Sequence, residues 1–510
     1  MPSPQVQHAG SRRAEIDWFI FIASTLTVYA VCVPLGLFPT EGAEVLNQAF
    51  TFVTDRLGVA YVLFSVFALS FLIYLGCSRF GRIRLGSVEQ RYSTFSWAAM
   101  LFCGGIGTSV LYWGTIEWGY YFTAPPFGAE PRSVEALNWA TSYPIFHWGF
   151  TGWALYCLPG IASAYAYHVR KVDALRLSAA CRPVIGDLAD GWLGRLIDLL
   201  YMIGLVGATS TGIGLAVPLI AACLENLFGL ENTFGLKLAV ITGVTAVFAV
   251  SVWVGLEKGI KRLSNLAVWL AFTLLMFVLI VGPTVFILET GTATVGFMLQ
   301  NFVRMSFWTD PAGGATFVES WTVFYWAWWL ALGPFMGLFI TKISGGRTIA
   351  EVVFGSLGYG TLGCALFFIV LGSYALHLEQ SAAVPLLELL GANKPAVAVV
   401  GVIDTLPASA LVVALFGVVC VIFAATSYDS ASYTLASSTT RALGTMDHPA
   451  RWNRVFWAVT LGLLPITLIY IGGLRPLQSA VVAVSLPLLL VVLLMTVALV
   501  KSLSEDHPRP

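Results

Sequence analysis

Aromatic side chains crowd one short stretch of this sequence. Residues 321–329, WTVFYWAWW, hold four tryptophans, a tyrosine and a phenylalanine. A quaternary ammonium has no N–H to donate, so proteins hold it against the faces of several rings, each worth about 0.5–2 kcal/mol. Because a helix turns by about 100° per residue, Trp321, Tyr325, Trp328 and Trp329 share one face. This spacing predicts ring walls around a fixed cation.

A second aromatic group lies in FHWGFTGWALY, residues 146–156. Trp148, Trp153 and Tyr156 fall well inside a predicted helix there. Tryptophan in membrane proteins can instead pack in the core or form a belt at the headgroups. We therefore separate the tryptophans by their expected roles. Ring walls are predicted at Trp148, Trp328 and Trp329, and packing at Trp113, Trp118 and Trp326.

Few acidic side chains fall inside the apolar stretches, whereas hydroxyl side chains form short groups there. Glu117 and Asp429 are functional candidates, because a carboxylate within a membrane is costly. Glu117 could be a counter-charge, a proton site or a structural acceptor, and Asp429 could hold backbone, a gate or a ligand. Thr426 and Ser427 lie one turn beyond Phe423, and ATST occupies 208–211. Such hydroxyls either complete an oxygen shell for a small cation or bond neighbouring backbone, and their spacing leaves both open.

The composition places these residues in a membrane. The chain has 510 residues, of which 58% are hydrophobic and 11% charged, whereas soluble domains carry about 25% charged residues. Its net charge of zero argues against a nucleic-acid partner. The six histidines are dispersed and the eight cysteines lack C-x-x-C spacing, so we expect no enzyme site, no covalent cofactor and buried, unbridged thiols.

Apolar runs long enough to cross about 30 Å of hydrocarbon predict an all-α polytopic membrane protein. With the N-terminus placed in the cytoplasm, alternation puts 21 of the 27 Lys and Arg residues on the cytoplasmic side. The positive-inside rule thus supports twelve transmembrane helices and cytoplasmic N- and C-termini. The predicted spans are 16–38, 57–77, 94–122, 138–167, 194–222, 237–255, 266–288, 319–343, 350–376, 408–440, 452–472 and 475–500.

Two spans carry residues that helices avoid near their middle. Span three contains CGGIGTS, 103–109, where we predict unwinding at Gly105, Gly107 and Ser109, and span eight contains GPFMG, 333–337. Freed backbone groups are tolerated in a membrane where they line a site. Two matched breaks predict inverted repeats with the site between them. The alternative is that glycine only allows close helix packing.

This pattern divides the chain into two halves of five spans. Residues 293–309 and 383–391 are apolar but too short to span, so we predict helices lying flat on the outer side. The polar first 15 residues lack a signal-peptide pattern, and we expect an uncleaved N-terminus. The expected organisation is an N-terminal tail, 1–15; two additional helices, 16–93; a first repeat, 94–289; an outer connection, 290–318; a second repeat, 319–501; and a short tail, 502–510.

The motifs WTVFYWAWW, KISGGRT (342–348), GGIGTSVLYWGTIE (104–117) and FHWGFTGWALY resemble the betaine/choline/carnitine transporter family. The resemblance runs from about residue 16 to the C-terminus. It implies a LeuT-like core of two inverted five-helix repeats behind two extra helices. It also implies a homotrimer in the bacterial inner membrane, in contact with lipid, that transports trimethylammonium-type solutes.

The resemblance also implies roles for individual positions. The family's central cage matches Trp148, Trp153, Tyr156, Trp328 and Trp329. Trp321 and Tyr325 match an outer part of the pathway, and Glu117 and Tyr120 match residues near the substrate in carnitine-type members. One turn beyond Trp329, where members often have an aromatic residue, this chain has Leu332.

Ion coupling is implied by the resemblance in two opposing ways. One Na⁺ site of sodium-coupled members matches Ile106, Phe423, Thr426 and Ser427, and another matches Thr209, Thr211 and Phe335. Sodium-independent antiporters replace the ions with an arginine in span seven and a methionine in span eight. Here those positions hold Ala267 and Met336. The missing arginine and the retained Thr-Ser pair favour Na⁺ symport.

The expected function is therefore secondary import of an onium solute of the glycine betaine, choline, carnitine or dimethylsulfoniopropionate type. The alternative is sodium-independent exchange of the carnitine/butyrobetaine type. A sensor without transport is disfavoured because no soluble output domain is seen. The family's osmosensing members carry a long charged C-terminal tail, whereas this sequence ends nine residues after Lys501, so osmotic activation through such a tail is not expected.

Overall fold

The computed structural model describes residues 15–86, 89–90, 92–105, 107–172, 176–254, 257–311, 316–441, 448–472 and 474–508. Almost all of these residues are helical. The α-helices are α1 Trp18–Leu37, α2 Pro39–Cys77, α3 Thr94–Gly104, α4 Thr108–Thr123, α5 Val134–His147, α6 Phe150–Ala164, α7 Leu177–Ile185, α8 Trp192–Phe228, α9 Phe234–Val254, α10 Glu257–Val281, α11 Thr284–Phe307, α12 Phe324–Ile343, α13 Ile349–Phe367, α14 Ser373–Gln380, α15 Leu386–Gly391, α16 Pro395–Asp404, α17 Ser409–Ser438, α18 Arg451–Ile471 and α19 Leu474–Asp506.

Shorter elements complete the chain. π-helical turns at Tyr165–Val169, Val318–Val323 and Phe368–Gly372 continue α6, lead into α12 and join α13 to α14. Two-residue strands β1, Glu15–Ile16, and β2, Thr440–Arg441, pair antiparallel. They fix the start of α1 to the end of α17. The predicted tail at 1–15 lies outside the described residues except for Glu15.

The helices are those of a polytopic membrane protein. Within the described residues, nine helices are long and apolar enough to cross a membrane, or ten if the bent pair α3–α4 is one span. Two predicted spans fall short of that test. Span four is divided into helices of 14 and 15 residues, and span six offers a shorter apolar stretch, Phe234–Val250. The count of twelve therefore stays a prediction.

Several boundaries differ from the predicted ones. α2 begins at Pro39, because proline suits the first turn of a helix, and runs for 39 residues. The flat outer helix predicted at 293–309 is wrong in extent: α11 starts at Thr284, and span seven ends at Val281. Pro283, which cannot continue the hydrogen bonds of α10, lies between them. At the C-terminal end α19 continues to Asp506, into the predicted tail.

The break in span three lies where it was predicted. α3 ends at Gly104, α4 begins at Thr108, and their axes differ by 57°. A Cβ added to Gly105 would lie 2.6 Å from Cys364 Sγ and 3.1 Å from Trp153 Cζ2. Glycine is thus required because α6 and α13 press directly on the unwound backbone.

The break predicted in span eight is wrong. α12 is continuous from Phe324 to Ile343 with Pro334 inside it. Its glycines serve close packing on α6: a Cβ at Gly337 would lie 2.7 Å from Gly160 N, and one at Gly333 2.8 Å from Leu155 O. α12 thus remains a continuous helix in this tight pair although Pro334 lacks the N–H of a regular turn.

The second interruption is in span four, where none was predicted. α5 ends at His147 and α6 begins at Phe150, with Trp148 and Gly149 between them. Gly149 has ψ −143°, and a Cβ on it would lie 2.4 Å from Ile145 O. Glycine is therefore required in this backbone conformation, and two half-helices meet at Trp148 and Gly149.

The site-bearing helices lie inside a shell of other helices. α6 and α12 are almost entirely buried. Large exposed apolar side chains instead occupy the outer helices, for example Leu26, Phe52, Val247, Trp269 and Ile280. Those exposed apolar faces are suited to contact with the hydrocarbon chains of a lipid bilayer.

We expect Gly337→Ala to lower the free energy of unfolding by about 1–3 kcal/mol, because its methyl group would overlap the backbone of Gly160. Thermal unfolding of the purified protein in detergent, followed by tryptophan fluorescence, measures this change. Gly243→Ala in α9, where nothing lies within 4 Å of the new methyl, is the control and should cost nothing. Equal losses in the two variants would contradict the glycine contact.

Candidate functional site

Five aromatic side chains, which we call the aromatic cage, converge at the interruption of span four. Trp148 meets Trp329 with ring centroids 5.7 Å apart and Trp328 at 5.9 Å, both edge to face. Tyr156 lies 4.4 Å from Trp329, and Trp153 lies 6.1 Å from it. The aromatic cage is Trp148, Trp153, Tyr156, Trp328 and Trp329, and all five side chains are buried.

Glycines make room for these rings. A Cβ on Gly152 would lie 2.5 Å from the Trp329 ring, and one on Gly360 2.2 Å from the Trp153 ring. The ring of Trp153 also lies against Gly104 and Gly105 of span three. The unwound backbone of span three is therefore in direct contact with the aromatic cage.

Helical phase on α12 agrees with the predicted face. Trp321, Tyr325 and Trp328 stack in succession, with centroids 6.5 Å and 6.3 Å apart. Trp326 points away and packs on Phe146, at 5.6 Å. The prediction that Trp326 packs rather than lines the site is confirmed by these contacts.

Trp321, Tyr120 and Trp113 form a second aromatic group, which we call the outer aromatic layer. It adjoins the N-terminal end of α12. Trp321 contacts Tyr120 at 5.3 Å and Trp113 at 5.7 Å. Trp113 was predicted to pack, and it is fully buried within this layer. Trp118 also packs, with its Nε1 donating to Thr115 O.

Leu332 and Met336 continue the same side of α12 beyond the aromatic cage, and both are half-buried. Met336 Cε would lie 3.5 Å from a Cβ on Gly104, so this side chain borders the break of span three. Gly107 is extended at φ −163°, and Ser109 Oγ would be 3.7 Å from a Cβ on Gly212 of α8. Unwinding was wrongly predicted at Ser109, which lies in the first turn of α4, whereas Gly105 and Gly107 lie in the break between α3 and α4.

Glu117 links aromatic side chains of three elements through hydrogen bonds. Its fully buried carboxylate accepts hydrogen bonds from Tyr121 Oη at 2.6 Å, from Trp148 Nε1 at 3.1 Å and from the hydroxyl of Tyr325. Of the three roles open to Glu117, these contacts match the structural acceptor. The carboxylate fixes the orientation of one cage ring and of the residue that stacks on a second.

Sequence reasoning missed the rest of this network. Tyr121, not Tyr120, bonds Glu117, because it lies four residues on along α4 and hence on the same face. His147 Nδ1 lies 3.0 Å from Tyr121 Oη, and its Nε2 lies 3.1 Å from Thr322 Oγ1. A histidine inside an apolar span was the signal that could have found it.

One candidate Na⁺ group is brought together on α17. Thr426 Oγ1 and Ser427 Oγ lie 3.0 Å and 2.9 Å from Phe423 O, so three oxygens converge. The same bonds are those that hydroxyls commonly make to their own helix. Ile106, the fourth predicted ligand, lies outside the described residues.

The other candidate ion group is divided between two helices. Thr209 and Thr211 are buried in α8, whereas Phe335 is half-buried on α12. The hydroxyl of Thr211 is directed to the carbonyls of Gly207 and Leu477, the latter on α19. Its prediction as an ion ligand thus gains no support from these bonds.

Asp429 of α17 pairs with an arginine of the next helix. Its Oδ1 accepts from Arg454 Nη2 on α18 at 2.8 Å. This ion pair joins α17 to α18, and the predicted roles of Asp429 stay predictions.

Comparisons with known proteins agree with this architecture. The profile described as BCCT, betaine/carnitine/choline family transporter, matches residues 19–508. The chain belongs to this family. It is 35% identical to a carnitine transporter of Acinetobacter baumannii over 97% of the chain and 90% of the relative. It is 38% identical to the uncharacterized transporter YeaV of Escherichia coli K12 over 86% of the chain and 92% of the relative.

Membership of the betaine/carnitine/choline family makes this protein a multi-pass membrane transporter rather than an enzyme. The aromatic cage is therefore a candidate substrate site. Its five members come from two helices, α12 and span four, that the glycine contacts hold together.

We expect Glu117→Ala to destabilise the protein strongly. Three buried donors would lose their acceptor, at about 1–3 kcal/mol each. Glu117→Gln should fall between that variant and the wild type, since its amide oxygen can still accept. The measurements are thermal unfolding and the exchange of indole N–H protons.

Glu388→Gln on α15, where the side chain is exposed, controls for loss of a carboxylate as such. An unfolding temperature for Glu117→Ala equal to that of this control would mean that Glu117 does not hold the walls.

Proposed function

We propose that the protein imports an onium solute of the glycine betaine, choline, carnitine or dimethylsulfoniopropionate type by Na⁺ symport with alternating access. The single observation that carries this proposal is the buried aromatic cage in a chain of this family. Indole faces attract a fixed cation that cannot donate hydrogen bonds. Burial strengthens that attraction because water no longer competes.

The geometry suggests how the site holds the onium head. Trp148 and Trp329 meet at 75° and so form a corner, with Tyr156 against the second ring. A methylated cation can contact ring faces from more than one direction in such a corner. Glu117 adds negative charge behind Trp148 when it is ionised, which favours a cation in front.

Two observations support sodium coupling. Phe423 O, Thr426 and Ser427 present three oxygens on α17, the ligand type that a small hard cation prefers. Ala267 is buried in α10 and supplies no charge that could replace an ion.

Met336 favours the second candidate, sodium-independent exchange of substrate against product. Its thioether reaches the break of span three beside Gly104, where it can fill space that an ion would need. The two mechanisms predict opposite responses to a sodium gradient.

We further propose a homotrimer in the bacterial inner membrane, surrounded by lipid, with both termini in the cytoplasm. Support comes from the resemblance to the family and from the distribution of Lys and Arg along the sequence.

We expect proteoliposomes to accumulate radiolabelled glycine betaine, choline, carnitine or dimethylsulfoniopropionate under an inward Na⁺ gradient. Replacing Na⁺ by K⁺ should abolish accumulation, because the ion gradient supplies the free energy. Uptake that is equal in K⁺ and requires substrate inside the vesicles would establish exchange instead.

We expect Trp329→Ala to abolish uptake while the protein still inserts and purifies, because three cage rings contact Trp329. Uptake assays measure transport, and the yield of protein from the membrane measures insertion. Trp269→Ala on α10, with 69% of its surface exposed, is the matched control and should transport normally. If Trp329→Ala retains its affinity for the substrate, the proposal that the aromatic cage binds the substrate is wrong.

A further inference from the structure

Glu117 and His147 are two titratable side chains that lie close together inside the protein. Both are fully buried, and Glu117 Oε1 lies 3.7 Å from His147 Nδ1. Tyr121 bonds both of them, with its Oη 2.6 Å from Glu117 Oε1 and 3.0 Å from His147 Nδ1. His147 Nε2 lies 3.1 Å from Thr322 Oγ1. We call these four side chains the Glu117 network.

No positive side chain balances the charge of Glu117. In the described part of the chain its carboxylate pairs with no lysine or arginine, and its hydrogen bonds come from two phenols and an indole. By contrast, the buried carboxylate of Asp198 interacts electrostatically with Arg176. An ionised carboxylate without a counter-charge is costly in an apolar interior. Glu117 therefore needs either a proton or a cation nearby.

The other titratable groups that face the network are phenols, which are uncharged at neutral pH. Tyr325 of α12 stacks on His147 with ring centroids 4.8 Å apart, and Tyr143 of α5 lies 5.2 Å from the same ring. Arg304 of α11 interacts electrostatically with Tyr143, but its guanidinium lies over the ring of Phe127, 4.2 Å away. The charge of the network is thus set by its own protons.

The network can be fully hydrogen-bonded with or without one extra proton. When Glu117 is ionised, it accepts from Tyr121. Tyr121 then accepts from His147 Nδ1–H, and His147 Nε2 accepts from the hydroxyl of Thr322. With one proton more, the carboxyl O–H donates to Tyr121, and Tyr121 donates to Nδ1. His147 Nε2–H then donates to Thr322, so every bond reverses while the heavy atoms stay in place.

The network contacts the aromatic cage through Trp148. Glu117 Oε2 accepts from Trp148 Nε1 at 3.1 Å, and His147 directly precedes Trp148 in the sequence. An onium head on the face of this ring would bring a fixed positive charge close to the carboxylate. Opposite charges attract more strongly where water is excluded. A bound onium therefore favours the ionised form of Glu117, whereas a proton removes the charge that attracts the onium.

We propose that the Glu117 network binds one proton in the empty protein and releases it to water when an onium solute enters the aromatic cage. The proton leaves the carboxyl group of Glu117, whose negative charge the onium then balances. This inference rests on the proposed function and adds a proton to its binding step. Because the proton and the onium compete for one negative charge, binding tightens as the pH rises.

The test is isothermal titration calorimetry of the purified protein with glycine betaine and with choline. Binding enthalpies measured in phosphate and in Tris, two buffers of different ionisation enthalpy, give the number of protons released. We expect about one proton for each solute bound. Over the pH range in which the empty protein is protonated, the dissociation constant should fall about tenfold per unit of pH.

Two variants assign the proton to the network. Glu117→Gln has no titratable proton, so it should bind with the affinity of the wild type at low pH, release no proton and show no pH dependence. Tyr121→Phe removes a hydrogen bond that favours the ionised carboxylate. Its rise in affinity should therefore move to higher pH, which a loss of packing alone would not cause. Tyr121→Phe keeps the test open if Glu117→Gln fails to fold.

The control is Glu388→Gln on α15, where the side chain is exposed. It should release the same number of protons as the wild type, with the same pH dependence. Three results would overturn the inference: binding without proton release, an affinity that does not change with pH, or proton release that persists in Glu117→Gln. Each of them leaves the proposed function intact, whereas that function fails if the wild type binds none of the four proposed solutes.

Discussion

The close contact between α6 and α12 is the constraint on which the site depends. Gly160 and Gly337 bring the two backbones together, and Gly333 lies on the carbonyl of Leu155. In a membrane, helices gain little from burying apolar surface and associate through such tight packing. The contact places Trp328 and Trp329 opposite Trp148, Trp153 and Tyr156. A looser helix pair would leave the same residues present but too far apart to act together.

A second constraint is the orientation of indole and phenol rings in an interior that excludes water, and Glu117 supplies it. A buried Trp or Tyr needs a partner for its polar atom. One carboxylate takes the donors of Trp148, Tyr121 and Tyr325, from three different elements. His147 and Thr322 extend the chain of polar contacts to the start of α12. The aromatic cage and the outer aromatic layer are thereby tied to a single buried group.

Much of this could be predicted from the sequence, since periodicity along one helix is a local property. It identified the face of α12 that bears Trp328 and Trp329, and the outward position of Trp326. The interruptions of the membrane helices were harder to predict from the sequence. Gly-Pro signals in GPFMG predicted a break that packing against Gly160 prevents. The real break at Trp148 and Gly149 needs glycine because a Cβ there would meet Ile145 O, and a single glycine in a sequence does not by itself indicate a break.

The glycines around the site also restrict how this transporter could diverge. Gly152 and Gly360 are overlain by rings, so a larger residue at either position would displace a wall. Glu117 is bound to three partners and cannot change alone. Leu332 and Met336, half-buried and beyond the rings, are under neither restriction. Those two positions can therefore change during divergence while the aromatic walls stay constant.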